Sequence, residues 1–205
     1  VTIILYRLQA DKSKEPMLNR VAAYATSSPF SHVELAIGDK LSENGLMQNV
    51  VRVFNDTVGV ELTKRTGINP NFSYMSLVCS KRAEMQMLAF SKKQIGKPFS
   101  MLGMARSVIW PRQSTGKSYF CSELCAAVLQ AGGLLDKQYN PGNATPQSIY
   151  AEFHGRCSTT ANPVVLRRIA NGVSGKGQRA ASIRNIQIAA PTWNNTITSR
   201  AHPVL

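Results

Sequence analysis

A chain of 205 residues with 43% apolar side chains is long enough to bury one sizeable core and is not disordered overall. Its net charge of +13 favours polyanions, whether nucleic acid, an anionic membrane surface or an acidic protein, but Trp193 is the only aromatic residue after Phe153, so base stacking and sequence-specific nucleic-acid reading are unsupported. Four cysteines without a C-x-x-C pair argue against a disulfide framework, a metal ribbon or a thioredoxin-like motif and fit a reducing, intracellular compartment, while no apolar run approaches the length of a transmembrane span.

Thr2-Ile3-Ile4-Leu5-Tyr6 reads as a buried strand, interrupted by Arg7 too soon for a signal peptide. Pro16 then opens a helix in which Leu18, Val21, Ala22 and Ala25 hold one face, and Ser28-Pro29 closes it. Residues 32–37 form the next strand, ended by Gly38-Asp39, and strands near 48–54, 59–63 and 74–79 follow with turn residues between them. The expected arrangement is a meander after one helix. Residues 81–95 read as a helix stopped by Gly96-Lys97-Pro98, residues 101–110 as another, and Thr145-Pro146 carries the cap and first-turn signature of a further short one. Beyond Gly155 only residues 164–169 look like a strand.

Residues 171–205 hold too few large apolar side chains to build a core of their own, and no acidic residue follows Glu152, whereas Arg156, Arg167, Arg168, Lys176, Arg179, Arg184 and Arg200 accumulate there. Ordering such a segment costs roughly 1–2 kcal/mol per residue for the backbone alone, so it needs a partner. The chain therefore divides into a domain over residues 1–155 and a basic, extended C-terminal arm over 156–205 that docks on protein subunits of a larger assembly.

The chemistry centres on Tyr119-Phe120-Cys121-Ser122-Glu123-Leu124, the start of a helix in which Leu124, Val128 and Ala131 share a face and Gly132-Gly133 supply the left-handed stop. Cys121 sits where backbone N–H groups are unpaired and the helix dipole is positive, both of which favour thiolate, the form that attacks a carbonyl. His32 stands at the start of a strand, and Glu34, two residues on, projects to the same side. Nucleophile, histidine and polar orienter are the residue types of a thiol hydrolase. The competing reading is a packed cysteine and an ordinary capping histidine.

Five blocks, Ile3-Ile4-Leu5-Tyr6-Arg7, Ser28-Pro29-Phe30-Ser31-His32-Val33-Glu34-Leu35-Ala36-Ile37-Gly38, Gln94-Ile95-Gly96-Lys97-Pro98-Phe99-Ser100, Tyr119-Phe120-Cys121-Ser122-Glu123-Leu124 and Ala144-Thr145-Pro146, resemble in their order the circularly permuted NlpC-type papain-like superfamily. The likeness is to its YiiX-like branch, which is related to the lecithin retinol acyltransferase group. It covers about residues 1–153 and leaves out the tail. The resemblance implies an α+β permuted papain-like fold, with an antiparallel sheet packed against the Cys121 helix and the histidine preceding the cysteine. It also implies Cys121 as nucleophile, His32 as base and Glu34 as the third polar residue, with Gln48 as the alternative, acting on a fatty amide, peptide or ester bond. The Gly-Asp pair that often precedes the first strand in relatives is absent from the sequence in hand, where Val1-Thr2 stand.

Other motifs carry less. Gly116-Lys117-Ser118 mimics the end of a phosphate-binding loop, but Pro111 occupies the position that needs glycine. Cys121 and Cys125 share a helix face without a second ligand pair, so packing accounts for Cys125 and neither metal nor cofactor is expected. Two functions from different classes follow. One is a cysteine hydrolase, amidase or acyltransferase within a larger assembly. The other is a structural component, such as the minor capsid protein of a large DNA virus, that uses the fold as a scaffold and the basic tail as a strap.

Overall fold

Ile3, Ile4 and Leu5 are all fully buried, which requires a strand covered on both faces and paired along both edges. In the computed structural model, which describes residues 1–9, 20, 28–38, 47–53, 59–66, 69–100, 113–157 and 159–161, they lie in β1 (Thr2–Arg7), an interior strand of an antiparallel sheet. The other strands are β2 (Phe30–Ala36), β3 (Met47–Val53), β4 (Val60–Arg65), β5 (Phe72–Ser76) and the short β6 (Thr159–Ala161). Their order is β4-β3-β2-β1-β5-β6. The chain is α+β, as expected.

The first four strands form the expected meander, but β5 does not extend it. It returns to the far side of β1, in register from Thr2 opposite Ser76 to Tyr6 opposite Phe72, and so closes the edge that a simple meander would leave open. Strand bounds shift by one to three residues from the sequence pattern, the largest at the end of β5, which stops at Ser76 and not 79, because ladder pairing decides where a strand stops. β6 was not anticipated: three residues carry no readable alternation. The helix after Pro16 (Arg20 apart, which is helical), the helix at 101–110, the strand at 164–169 and the C-terminal arm lie outside the described residues.

One face of the sheet, with Ile3, Leu5, Val33, Leu35, Val51 and Val53, packs in a single core with Leu124 and Val128 of the cysteine helix. The other face carries Ile4, Ala36, Val50, Phe72 and Tyr74. Three α-helices are described: α1 (Lys81–Gln94), α2 (Cys121–Ala131) and α3 (Pro146–His154). Ser80 caps α1 by accepting from the Ala83 N–H at 3.1 Å, and Thr145 with Ser148 forms a reciprocal capping box at the start of α3. Helix α2 is not the one-faced helix its spacing suggested. Every residue from Cys121 to Leu129 is buried, Ser122 and Glu123 included, because elements pack against it on all sides.

The position of α2 is fixed from β4. Val60 donates its N–H to the Lys97 carbonyl at 2.8 Å, and Gly96 donates back to Val60 at 2.8 Å. Next along this turn, the Pro98 carbonyl accepts from Tyr119, two residues before Cys121, at 3.1 Å, and Lys97 Nζ reaches Gln94 Oε1 at 2.6 Å. The approach is possible because Gly59 has no side chain: its φ is +69°, and a Cβ there would collide with the Lys97 carbonyl. Gly59→Ala should cost about 2–4 kcal/mol through left-handed strain plus this clash, measured as a lower urea midpoint at unchanged slope.

Candidate active site

Helix α2 starts at Phe120, whose extended backbone serves as N-cap without any side-chain cap. No hydroxyl or carboxylate therefore competes for the first-turn N–H groups, and the backbone of Ser122 hydrogen-bonds the Cys121 sulfur instead. Ser122 turns its own hydroxyl away, donating it to the Ala144 carbonyl at 2.8 Å and tying the helix start to the cap of α3.

The opposing wall is β2. Strand β3 pairs with β2 through Leu35 opposite Val51 and Ala36 opposite Val50, so this ladder covers only the C-terminal end of β2. At Val33 the edge of β2 meets α2 instead. The Val33 backbone hydrogen-bonds the Cys121 sulfur, and its carbonyl accepts from Cys125 Sγ at 3.5 Å. Two cysteines one helical turn apart thus satisfy the two backbone groups that a strand would otherwise have paired.

His32 and Glu34 lie opposite Tyr6 and Ile4 of β1, on the sheet face away from the main core, and His32 Nε2 stands 3.1 Å from Glu34 Oε1. The imidazole also hydrogen-bonds Cys121. The structure thus brings all three expected residues together at the free edge of β2. Gln48, the alternative third residue, is solvent-exposed on β3, whereas Glu34 is fully buried. Glu34 has a partner that sequence reasoning did not identify: Arg65 Nη2 lies 3.1 Å from Oε1 and 2.9 Å from Oε2, the second contact lacking hydrogen-bond alignment. The only sequence signal for it was an arginine ending a strand otherwise expected to stop at Thr63.

Charge follows from this geometry. Burial acts most strongly on both Cys121 and His32, pushing the thiol up and the imidazole down. The charge and hydrogen bond that each lends the other outweigh it. With Glu34 assisting, the His32 pKa rises to about 9, while Cys121 falls below its ordinary value, assisted by the Val33 and Ser122 backbone. Burial likewise works to raise Glu34, but the His32 hydrogen bond and the charges of His32, Arg65 and Arg52 hold it below the usual carboxylate range. Both shifts favour an imidazolium–thiolate pair backed by a carboxylate. Cys125 is different: burial, then the charges of Cys121 and Glu34, push it well up, so it stays a thiol.

All four cysteines are free, and among the described residues no group of three or more His, Cys, Asp or Glu side chains is placed to hold a metal. Cys121 and His32 keep 6% and 9% of their surface exposed. Iodoacetamide at pH 6 should alkylate Cys121 at least about tenfold faster than Cys125 or Cys157, whose thiols burial pushes up. Peptide mass spectrometry of a short time course reads this, and equal labelling would remove the case for an activated thiol. No family model matches this chain, and no curated protein matches it.

Proposed function

We propose that this chain is a cysteine hydrolase or acyltransferase acting on an amide or ester, with Cys121 as nucleophile, His32 as general acid and base, and Glu34 orienting His32. The observation that carries the reading is the hydrogen bond between buried His32 and Cys121 at the start of α2, with Glu34 3.1 Å behind His32, since a cysteine there for packing alone has no need of such a partner. The order of the site residues, histidine before cysteine, and an antiparallel sheet beside the cysteine helix also support the permuted NlpC-type papain-like relationship that the sequence blocks suggest.

In this mechanism the Cys121 thiolate attacks the acyl carbon and forms a C–S bond while the carbonyl π pair moves to oxygen. Collapse expels the amine or alkoxide, which takes the proton from His32. The thioester left on Cys121 is cleaved by water, or by an acceptor hydroxyl or amine, with neutral His32 accepting the proton and the thiolate as leaving group. The Ser122 and Val33 backbone groups stabilise the sulfur anion before attack and again on its departure.

Incubation with a panel of acyl amides and activated esters of varied chain length should give one acyl mass on Cys121, absent from Cys121→Ala. His32→Ala should slow turnover about a thousandfold, within the roughly 10²–10⁴ typical of a positioned acid–base. A panel that never acylates Cys121, while the same thiol alkylates readily, would remove the hydrolase reading.

The sign of the pH dependence follows from the two shifts. Turnover on an amide needs His32 protonated to donate to the amine, so it should fall as pH rises through about 9. It should also fall at the acid end as Cys121 takes up a proton below its lowered pKa. Alkylation needs only the thiolate and should show the acid limb without the alkaline one. An alkaline limb in both assays would mean that His32 is not the proton donor.

A further inference from the structure

Strands β4 and β5 are separated by three others, roughly 19 Å at about 4.8 Å per spacing. Yet the guanidinium carbon of Arg65, on β4, lies 4.2 Å from the ring centroid of Phe72, on β5. The sheet is coiled enough for this side chain to reach across its second face, and it meets Glu34 on the way, at 3.1 and 2.9 Å from the two carboxylate oxygens. Arg65 is an unusual cation: its side chain is only 18% exposed, its guanidinium lies over an aromatic ring, and its charge faces a carboxylate with no exposed surface.

We propose that Arg65 is a positioning residue for this site: seated on Phe72, it holds Glu34 ionised and fixed in orientation, so that Glu34 in turn keeps His32 charged and turned toward Cys121. The inference rests on the thiol-hydrolase reading above.

The argument is one of charge balance. Arg65, Glu34, His32 and Cys121 stand in contact in that order, and with His32 and Cys121 ionised they alternate in sign and their four charges sum to zero. Without Arg65, the remaining three carry a net negative charge in a place where Glu34 and Cys121 are nearly or fully buried, and an uncompensated buried charge takes up a proton. Glu34 accepts from both His32 and Arg65, so the thiolate, at the far end of the chain of contacts, is the form that loses support. Among the described residues, the other groups acting on the cluster do not replace the lost charge. Cys125 stays neutral, and Arg52, the remaining cation acting on Glu34, has its Nε 2.5 Å from Glu61 Oε1.

The test is the pH dependence of Cys121 alkylation by iodoacetamide in the full chain, with thiolate absorbance near 240 nm as a second readout. Arg65→Gln should move the acid limb upward by about one pH unit or more, roughly a tenfold loss of rate below it, with the plateau rate at high pH unchanged. Arg65→Met, which keeps an unbranched side chain and removes the charge, carries the same expectation if the Gln variant does not fold. Arg65→Lys should return the limb most of the way to wild type, since it keeps the charge. A limb that stays in place in the neutral variants, or moves as far in Arg65→Lys as in them, would overturn the proposal, as would a Lys variant that cannot fold. Failure of the hydrolase reading looks different: wild-type Cys121 would take up no acyl group from the panel, whatever the Arg65 variants do to the alkylation limb.

Discussion

A negatively charged sulfur in a protein interior is tolerated only where something offsets the loss of its hydration, a penalty that amounts to several kcal/mol for an unpaired ion. Cys121 keeps 6% of its surface exposed, and the structure offsets the cost in three ways at once. An imidazolium touches the sulfur, the Val33 and Ser122 backbone groups hydrogen-bond it, and an uncapped helix start points its dipole toward it. Each device depends on a different element, so the charge state of one atom is set by how β2, α2 and the strands behind β2 are packed.

That dependence explains a feature of the fold that stability alone would not favour. An edge of β2 left uncovered by β3 would normally be a liability, exposing ladder groups to solvent or to another chain. Here α2 fills the gap with two cysteine sulfurs instead of a strand, and the edge becomes the place where residues on opposite faces of the sheet can meet. His32 and Glu34 project from the second face, and Cys121 belongs to a helix packed on the first. Around the edge of a central strand they come within hydrogen-bond reach; through the sheet they could not. The turn at Gly96 to Pro98 holds the other side of this arrangement, fixing Tyr119 and with it the start of α2.

The local features were legible in the sequence: the strand runs, the Thr145 cap, the helix start at Cys121 and the shared side of His32 and Glu34 all follow from spacing and residue type. What could not be read was long-range. The return of β5 to β1 is a choice between two edges with similar apolar faces, and no residue marks it. Arg65 is silent for the same reason, since its meaning comes from a carboxylate 31 positions earlier. Helix α2 misled because its apolar spacing predicts one buried face, whereas polar Ser122 and Glu123 are buried too. Of the two cysteines facing Val33, the first-turn position marked Cys121 in the sequence as the candidate nucleophile, and the electrostatics move the two thiols in opposite directions, Cys121 down beside His32 and Cys125 up.

The ion pair itself is the claim on which the proposed chemistry stands, and the imidazole reports it directly. Nitrogen-15 NMR of His32 should show both ring nitrogens protonated at pH 7 to 8, with titration near the pKa of about 9 that its surroundings impose. In Cys121→Ser, which removes the thiolate, the same ring should lose its proton at a clearly lower pH. A wild-type His32 that is neutral at pH 7, or one whose titration does not respond to removal of the thiol, would contradict the account.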